Sequence, residues 1–150
     1  MTDLLTAAAS GNPRVERLLH QGMSRPCSQL GIGAVSKNVV DAAVELAEEH
    51  AIQLMLIASR RQIDGDGLAP GYVNGWTSET FAEYVRRRDP EGRIVLCRDH
   101  GGPFQGARTH FPGGLDEALG DARASFESDI ASGFDILHID TSLVADDQAR

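Results

Sequence analysis

An aspartate and a histidine lie side by side at Asp99 and His100, directly before a glycine-rich stretch. The carboxylate of Asp99 could move a proton, and the imidazole of His100 could bind a divalent metal ion. Because adjacent residues of a regular strand point to opposite faces, both can reach one ligand only where the strand breaks into a loop. Gly101, Gly102 and Pro103 favour such a break. The spacing equally allows Asp99 to cap the loop while His100 is only hydrogen-bonded.

A second histidine and aspartate, His138 and Asp140, are two positions apart in a later apolar run. In a strand this spacing places both on the face of Ile136. Polar groups on a buried face must be hydrogen-bonded or hydrated, because leaving one unsatisfied costs about 1–3 kcal/mol. We therefore expect the two side chains either to face a ligand or to hydrogen-bond to each other.

Further polar side chains follow the apolar runs, where strands would end. Arg60, Arg61 and Gln62 could hold a phosphate or a sugar carboxylate through bidentate contacts, or form a surface salt bridge. Lys37 could form a Schiff base or contact a phosphate, or could be a solvated residue before a helix. The candidate substrate-binding residues are Ser36, Arg60, Arg61, Gln62, His138 and Ser142.

The elements that must position these residues alternate between apolar runs and amphipathic stretches. Helices are predicted from Pro13, with Asn12 as N-cap, to just before Gly22, from Asn38 as N-cap, and from an N-cap at residue 77 or 78. The predicted strands span residues 30–35, 53–59, 93–98 and 134–139. The last predicted helix spans 115–132, is stopped by Gly133, and carries the apolar stripe Ala118, Leu119, Ala122, Phe126 and Ile130.

Apolar strands separated by helices are typical of parallel sheets that are covered on both faces. The order of elements alone fits a doubly wound sheet or part of a (β/α)8 barrel, and no linker divides the chain. In both architectures ligands bind at the carboxyl ends of the strands. The candidate residues lie at or just after the ends of strands, so we expect them to converge at that end.

Composition limits the classes of partner and compartment. Lys plus Arg total 14 against 22 Asp plus Glu, which gives a net charge of −8 and disfavours nucleic acid and anionic membranes. Cys27 and Cys97 form no CxxC pair, and the amino terminus lacks the features of a signal peptide. These features predict a cytoplasmic protein. Neither GxGxxG nor GxxxxGK[ST] occurs, so motifs give no support for a nucleotide-dependent kinase.

Four stretches carry a family resemblance, and they include Arg98-Asp-His-Gly-Gly-Pro103 and His138-Ile-Asp-Thr-Ser142. In their order and spacing the chain resembles the D-tagatose-bisphosphate aldolase class II accessory family. These are non-catalytic subunits with a (β/α)8 barrel related to the zinc-dependent class II aldolases. The four stretches are residues 58–64, 71–77, 98–103 and 133–142.

The resemblance implies a role for several of the candidate residues. Asp99 would be the acid/base, His100 a zinc ligand, and Asp140 an active-site carboxylate. The implied partners are a sugar phosphate and a catalytic aldolase subunit, and the implied process is ketose-phosphate catabolism. Arg60 and Arg61 stand where the family pattern has small polar residues, and Ile57 stands where it has an acid.

A complete (β/α)8 barrel needs about 250 residues, whereas this chain has 150. We therefore expect a single unit over 1–150, the amino-terminal half of a TIM barrel, either a fragment of a longer barrel or one half of a two-chain barrel. The open strand edges predict self-association or pairing with a second half barrel. The remaining zinc ligands would come from the other half.

Two functions stay open at this point. In the first, the chain is an accessory subunit that supports a class II tagatose-bisphosphate aldolase. In the second, it is itself a metal-dependent aldolase or sugar-phosphate epimerase, in which Asp99 moves a proton and His100 holds the cation.

Overall fold

The computed structural model of the protein describes residues 11–24 and 28–144; residues 1–10, 25–27 (which include Cys27) and 145–150 lie outside it. The described part alternates helices and strands, as the sequence predicts. In chain order the elements are α1 (Pro13–Ser24), β1 (Gly31–Gly33), α2 (Lys37–Glu49), β2 (Leu54–Ser59), α3 (Ser78–Arg88), β3 (Ile94–Gly101), α4 (Gly114–Ala131) and β4 (Ile136–Ile139).

The four strands form one parallel sheet in the order β1-β2-β3-β4. Consecutive order is the topology of a (β/α)8 barrel, whereas a doubly wound sheet reverses its strand order part-way. The fold is therefore a parallel α/β unit of the kind that makes up part of a TIM barrel. None of the helices in the described part is long and apolar enough to cross a membrane.

Helices α2, α3 and α4 pack against one face of this sheet. Leu54 and Leu56 of β2 and Leu96 of β3 join the buried apolar side chains of α2 and α3 there. In a barrel this is the outer face, covered by the ring of helices. The expected covering of both faces is not found, because the described part places only α1 on the other side.

Helix α1 contacts the opposite face, near the amino ends of the strands. Leu18 packs on Val95 and Cys97 of β3, and Gln53 donates a hydrogen bond of 2.7 Å to the carbonyl of Arg14. Burial raises the pKa of the Cys97 thiol to about 12. Because α1 occupies this end, the carboxyl ends of the strands stay accessible.

The helix starts follow local capping rules with one correction. Asn12 Oδ1 accepts from the backbone N–H of Arg14, and Thr77 forms a capping box at α3, both as predicted. Helix α2 is capped by Ser36, whose hydroxyl accepts from Val39 N, and the predicted cap at Asn38 is wrong. The chain enters this helix two residues earlier because Ser36 has the extended backbone that a cap requires.

Helix α4 is rotated relative to its predicted apolar stripe. Leu119 and Ile130 are 47% and 64% exposed, whereas Asp129 is fully buried. The rotation occurs because the Asp129 carboxylate pairs with the guanidinium of Arg98 inside the sheet–helix layer. A charge that is paired this completely can be buried where an apolar residue was expected.

Candidate functional site

Two histidines and two aspartates meet at the carboxyl ends of β3 and β4. His100 Nδ1 lies 2.6 Å from Asp140 Oδ2, and His138 Nδ1 lies 3.0 Å from Asp99 Oδ1. The second carboxylate oxygen of Asp99 is 3.5 Å from His100 Nε2. The four side chains thus form one chain of alternating carboxylates and imidazoles, which runs from Asp140 through His100 and Asp99 to His138.

An irregularity at the end of β3 brings Asp99 and His100 to the same site. The pairing of β3 with β4 shifts between Arg98 and Gly101, and His100 has a φ of 49°. That left-handed backbone is strained for a non-glycine residue, and such strain is concentrated at functional sites. β3 continues through Gly101, so the expected break into a loop at Asp99 is not found; the irregularity within the end of the strand brings His100 to the carboxylates instead.

Gly102 allows the following loop to pass very close to the end of β4. A Cβ atom at this position would lie 1.7 Å from the carbonyl oxygen of Asp140. Any side chain would therefore push β3 and β4 apart. Only glycine keeps His100 within hydrogen-bond distance of Asp140.

Asp140 is the most heavily hydrogen-bonded carboxylate of the site. Its oxygens accept from the backbone N–H of Ser142 and from Gln105 Nε2, both at 2.8 Å, in addition to His100. Hydrogen bonds from Ser142 and from His100 hold the pKa of the Asp140 carboxyl well below its usual range. In turn, the bond to Asp140 raises the pKa of His100 above its ordinary value. Asp140 thus orients the His100 ring and favours its charged form.

Of the two alternatives for His138 and Asp140, the hydrogen bond between them is not found among the described contacts. His138 pairs instead with Asp99 on the neighbouring strand. Both side chains are partly open to solvent, 57% for His138 and 41% for Asp99. Asp99 is therefore the carboxylate that a ligand can reach, whereas Asp140 is enclosed.

The candidate residues after β2 separate into buried and accessible positions. Arg60 is 3% exposed and pairs with Asp64 at 3.0 Å, while its other nitrogens donate to the carbonyls of Gly102 and Asp121. It braces the loop that follows β3. Gln62 accepts from the backbone N–H of Ser59, at the end of β2. Only Arg61 of the three is exposed at the site.

A cleft of about 300 Å³ opens beside His100 and Arg61, at the carboxyl ends of β2, β3 and β4. Asp99, His138 and Asp140 are not among the residues that line it. Ser36 takes no part, because it caps α2, and Lys37 pairs with Asp41 at 2.7 Å. The cleft is lined by Ser59, Arg61, His100, Gln105, Ser142 and Leu143.

Some residues that build the site were not among the sequence candidates. Gln105 and Ser59 line the cleft, but an amide and a hydroxyl in loops carry no spacing signal. Arg98 and Asp129 lie beneath it as a fully buried pair. The sequence offers little indication of this pair, because Asp129 is a charged residue in a helix that is predicted from its apolar stripe.

The residues of the described part do not by themselves complete a metal site. No three histidine, cysteine, aspartate or glutamate side chains are arranged there to hold an ion. Each site histidine already uses Nδ1 on a carboxylate, and Nε2 of His100 lies 3.5 Å from Asp99 Oδ2. A structural or catalytic zinc ion needs at least three protein ligands. His100 and His138 could each supply at most one ligand, through Nε2.

Comparison with known proteins gives one family match. The model of the D-tagatose-1,6-bisphosphate aldolase subunit GatZ/KbaZ-like family matches residues 17–150. The match includes every strand of the sheet and every residue of the site. The chain belongs to this family. A comparison with curated proteins gives no match.

A solved structure supports the fold of this GatZ/KbaZ-like chain. It is the crystal structure of a probable tagatose 6 phosphate kinase from Sinorhizobium meliloti 1021, which is 30% identical with a TM-score of 0.63. The match covers 77% of this chain but 29% of that one. The GatZ/KbaZ-like chain therefore spans less than a third of the length of that protein.

Proposed function

We propose that this chain is the amino-terminal half of a (β/α)8 barrel that serves as the accessory subunit of a class II tagatose-bisphosphate aldolase. The observation that carries the proposal is the family match over residues 17–150, which includes the whole site. Its role lies in carbohydrate catabolism in the cytoplasm. The partner is a catalytic aldolase subunit, and the small ligand is a sugar phosphate.

The open edges of the sheet support pairing with a second half barrel. Strands β1 and β4 each have only one neighbour within the described residues. Unpaired strand edges expose backbone donors and acceptors that favour association. The isolated chain therefore self-associates or takes up a second half barrel. A monomer in light scattering that stays monomeric on dilution contradicts this.

A second candidate is a metal-dependent aldolase or sugar-phosphate epimerase formed by the completed barrel. The bond between His100 Nδ1 and Asp140 favours it, because metal-binding histidines commonly donate their other nitrogen to a carboxylate. Asp99, accessible and held by His138, is the group that would take and return the proton. A zinc ion would polarise the substrate carbonyl. His100 would supply one ligand, and the others must come from outside the described residues.

Two measurements on purified protein separate these candidates. Co-expression with a catalytic tagatose-bisphosphate aldolase subunit, followed by size-exclusion chromatography with light scattering, tests for a stoichiometric complex. Elemental analysis of the chain tests for bound zinc. A complex without zinc in this chain supports the accessory role. Stoichiometric zinc that is lost in His100→Ala but retained in the control His110→Ala, without a complex, supports the enzyme and contradicts the accessory role.

A further inference from the structure

Arg61 lines two clefts near the carboxyl end of the sheet. The first is the cleft beside His100, and the second has a volume of about 320 Å³. The Arg61 guanidinium forms no hydrogen bond or ion pair with any residue of the described ranges. The second cleft is lined by Arg61, Pro70, Tyr72, Gly106, Ala107 and Thr109.

This free guanidinium contrasts with its neighbour. Arg60 is buried and uses its nitrogens on Asp64 and two backbone carbonyls, so it has little capacity for a ligand. Arg61 is exposed and keeps its donors available. An unpaired guanidinium at the mouth of a cleft is notable in a chain whose net charge is −8.

The wall of the second cleft is held beside Arg61 by the backbone. Tyr72 N donates to the carbonyl of Arg61 at 3.1 Å, and Val73 N donates to that of Gln62 at 3.0 Å. A Cβ atom at Gly71 would lie 2.2 Å from the carbonyl oxygen of Gln62. The close approach fixes the loop, so Tyr72 and Arg61 are positioned before any ligand arrives.

Arg61 also lines the first cleft, together with His100, Ser59 and Gln105. One cation therefore acts on both clefts. A ligand with an anionic group at Arg61 can extend its uncharged part toward His100.

We propose that Arg61 is the anion subsite of this protein, and that it holds the phosphate of a phosphorylated sugar whose carbon chain extends toward His100. A guanidinium binds phosphate through two parallel hydrogen bonds, a geometry that lysine lacks. Tyr72 and Thr109 line the same cleft, and a hydroxyl is a neutral hydrogen-bond donor for a phosphate oxygen. The inference rests on the proposed function, which supplies the sugar-phosphate class.

Isothermal titration calorimetry with D-fructose 6-phosphate, inorganic phosphate and D-fructose tests the subsite. Wild type binds the sugar phosphate more tightly than either other probe. Arg61→Gln weakens that binding at least about tenfold, the loss of one charge-assisted contact. The affinity falls with added salt, because the contact is ionic and exposed. Arg87→Gln is the matched control, since Arg87 is exposed on α3 and forms no ion pair in the described part.

Three outcomes overturn the proposal. The first is equal binding of D-fructose 6-phosphate by wild type and Arg61→Gln. The second is inorganic phosphate bound as tightly as the sugar phosphate, which refutes the sugar-phosphate assignment. The third is the absence of binding of any of the three probes by wild type. In that case a complex with the catalytic aldolase subunit would still support the accessory role, so the two proposals fail separately. Identical thermal unfolding of the variants shows that any loss comes from the site.

Discussion

Removal of the Asp129 carboxylate should destabilise the fold more than any exposed substitution. Asp129 accepts from Nε and Nη2 of Arg98, each at 2.7 Å, and both side chains are fully buried. The same guanidinium donates to the carbonyl of Ala58, within β2, and to that of Ile63, in the turn that follows β2. The pair thus joins α4, β3, β2 and the turn that contains Arg61.

The magnitude follows from leaving the Arg98 charge buried without its counter-ion. Breaking a buried ion pair by removing one partner costs about 3–5 kcal/mol. In a domain of this size each kcal/mol lowers the melting temperature by about 2–4 °C. Asp129→Ala should therefore lower it by about 6–20 °C. The melting temperature of Asp129→Asn should lie between those of Asp129→Ala and wild type, because the amide keeps an oxygen acceptor but loses the charge.

Urea unfolding followed by circular dichroism measures the free energy of unfolding of each variant. Glu127→Ala is the matched control on the same helix, since it breaks the exposed pair of Arg123 and Glu127 at 2.8 Å. Exposed helix pairs contribute only about 0.3–0.5 kcal/mol. If Asp129→Ala costs no more than Glu127→Ala, the structural role assigned to the buried pair is refuted.

Three further predictions concern the site and the core. Gly102→Ala should lower the free energy of unfolding in urea by about 1–3 kcal/mol, since its Cβ would meet the Asp140 carbonyl. Gly120→Ala, at an open position on α4, should raise it. Equal effects of the two substitutions would refute the steric role assigned to Gly102. A proton NMR titration should place the pKa of His100 above its ordinary 6.5, and Asp140→Asn should lower it. A histidine whose pKa is higher in the folded state stabilises the fold at low pH, and this contribution is lost as the pH rises from the unfolded-state pKa through the folded-state pKa. The free energy of unfolding of wild type should therefore decline with pH across that window, and Asp140→Asn should make the decline smaller. The same decline in both proteins would count against the pair of His100 and Asp140. In a Cys27→Ser variant the Cys97 thiol, with its pKa of about 12, should react with a disulfide reagent at pH 8 only after unfolding, and rapid reaction of folded protein would contradict its burial.

The sequence predicted the elements well because their signals are local. Apolar runs marked the strands, Thr77 and Asn12 marked helix starts, and Gly133 marked the end of α4. The convergence of polar side chains at one end also follows from chain order, since parallel strands place all their carboxyl ends together. The glycines after His100 favoured a break at this point, whereas β3 continues through Gly101 with an irregular register.

Contacts between residues that are far apart in the sequence could not be predicted from local sequence patterns. Which of Arg60 and Arg61 is accessible to a ligand depends on the turn after β2, which directs the Arg60 side chain to Asp64 and the interior. His138 bonds across strands to Asp99 because the irregular end of β3 sets the register with β4. The rotation of α4 likewise required knowledge that position 129 faces Arg98.

The accessory role is tested most directly by the cleavage of D-tagatose 1,6-bisphosphate by a catalytic aldolase subunit, measured with and without an equimolar amount of this chain. The proposed role predicts that the chain alone cleaves nothing and that the catalytic subunit is faster, or keeps its activity longer, when the chain is present. Unchanged activity and lifetime of the catalytic subunit, or cleavage by this chain alone, would contradict it.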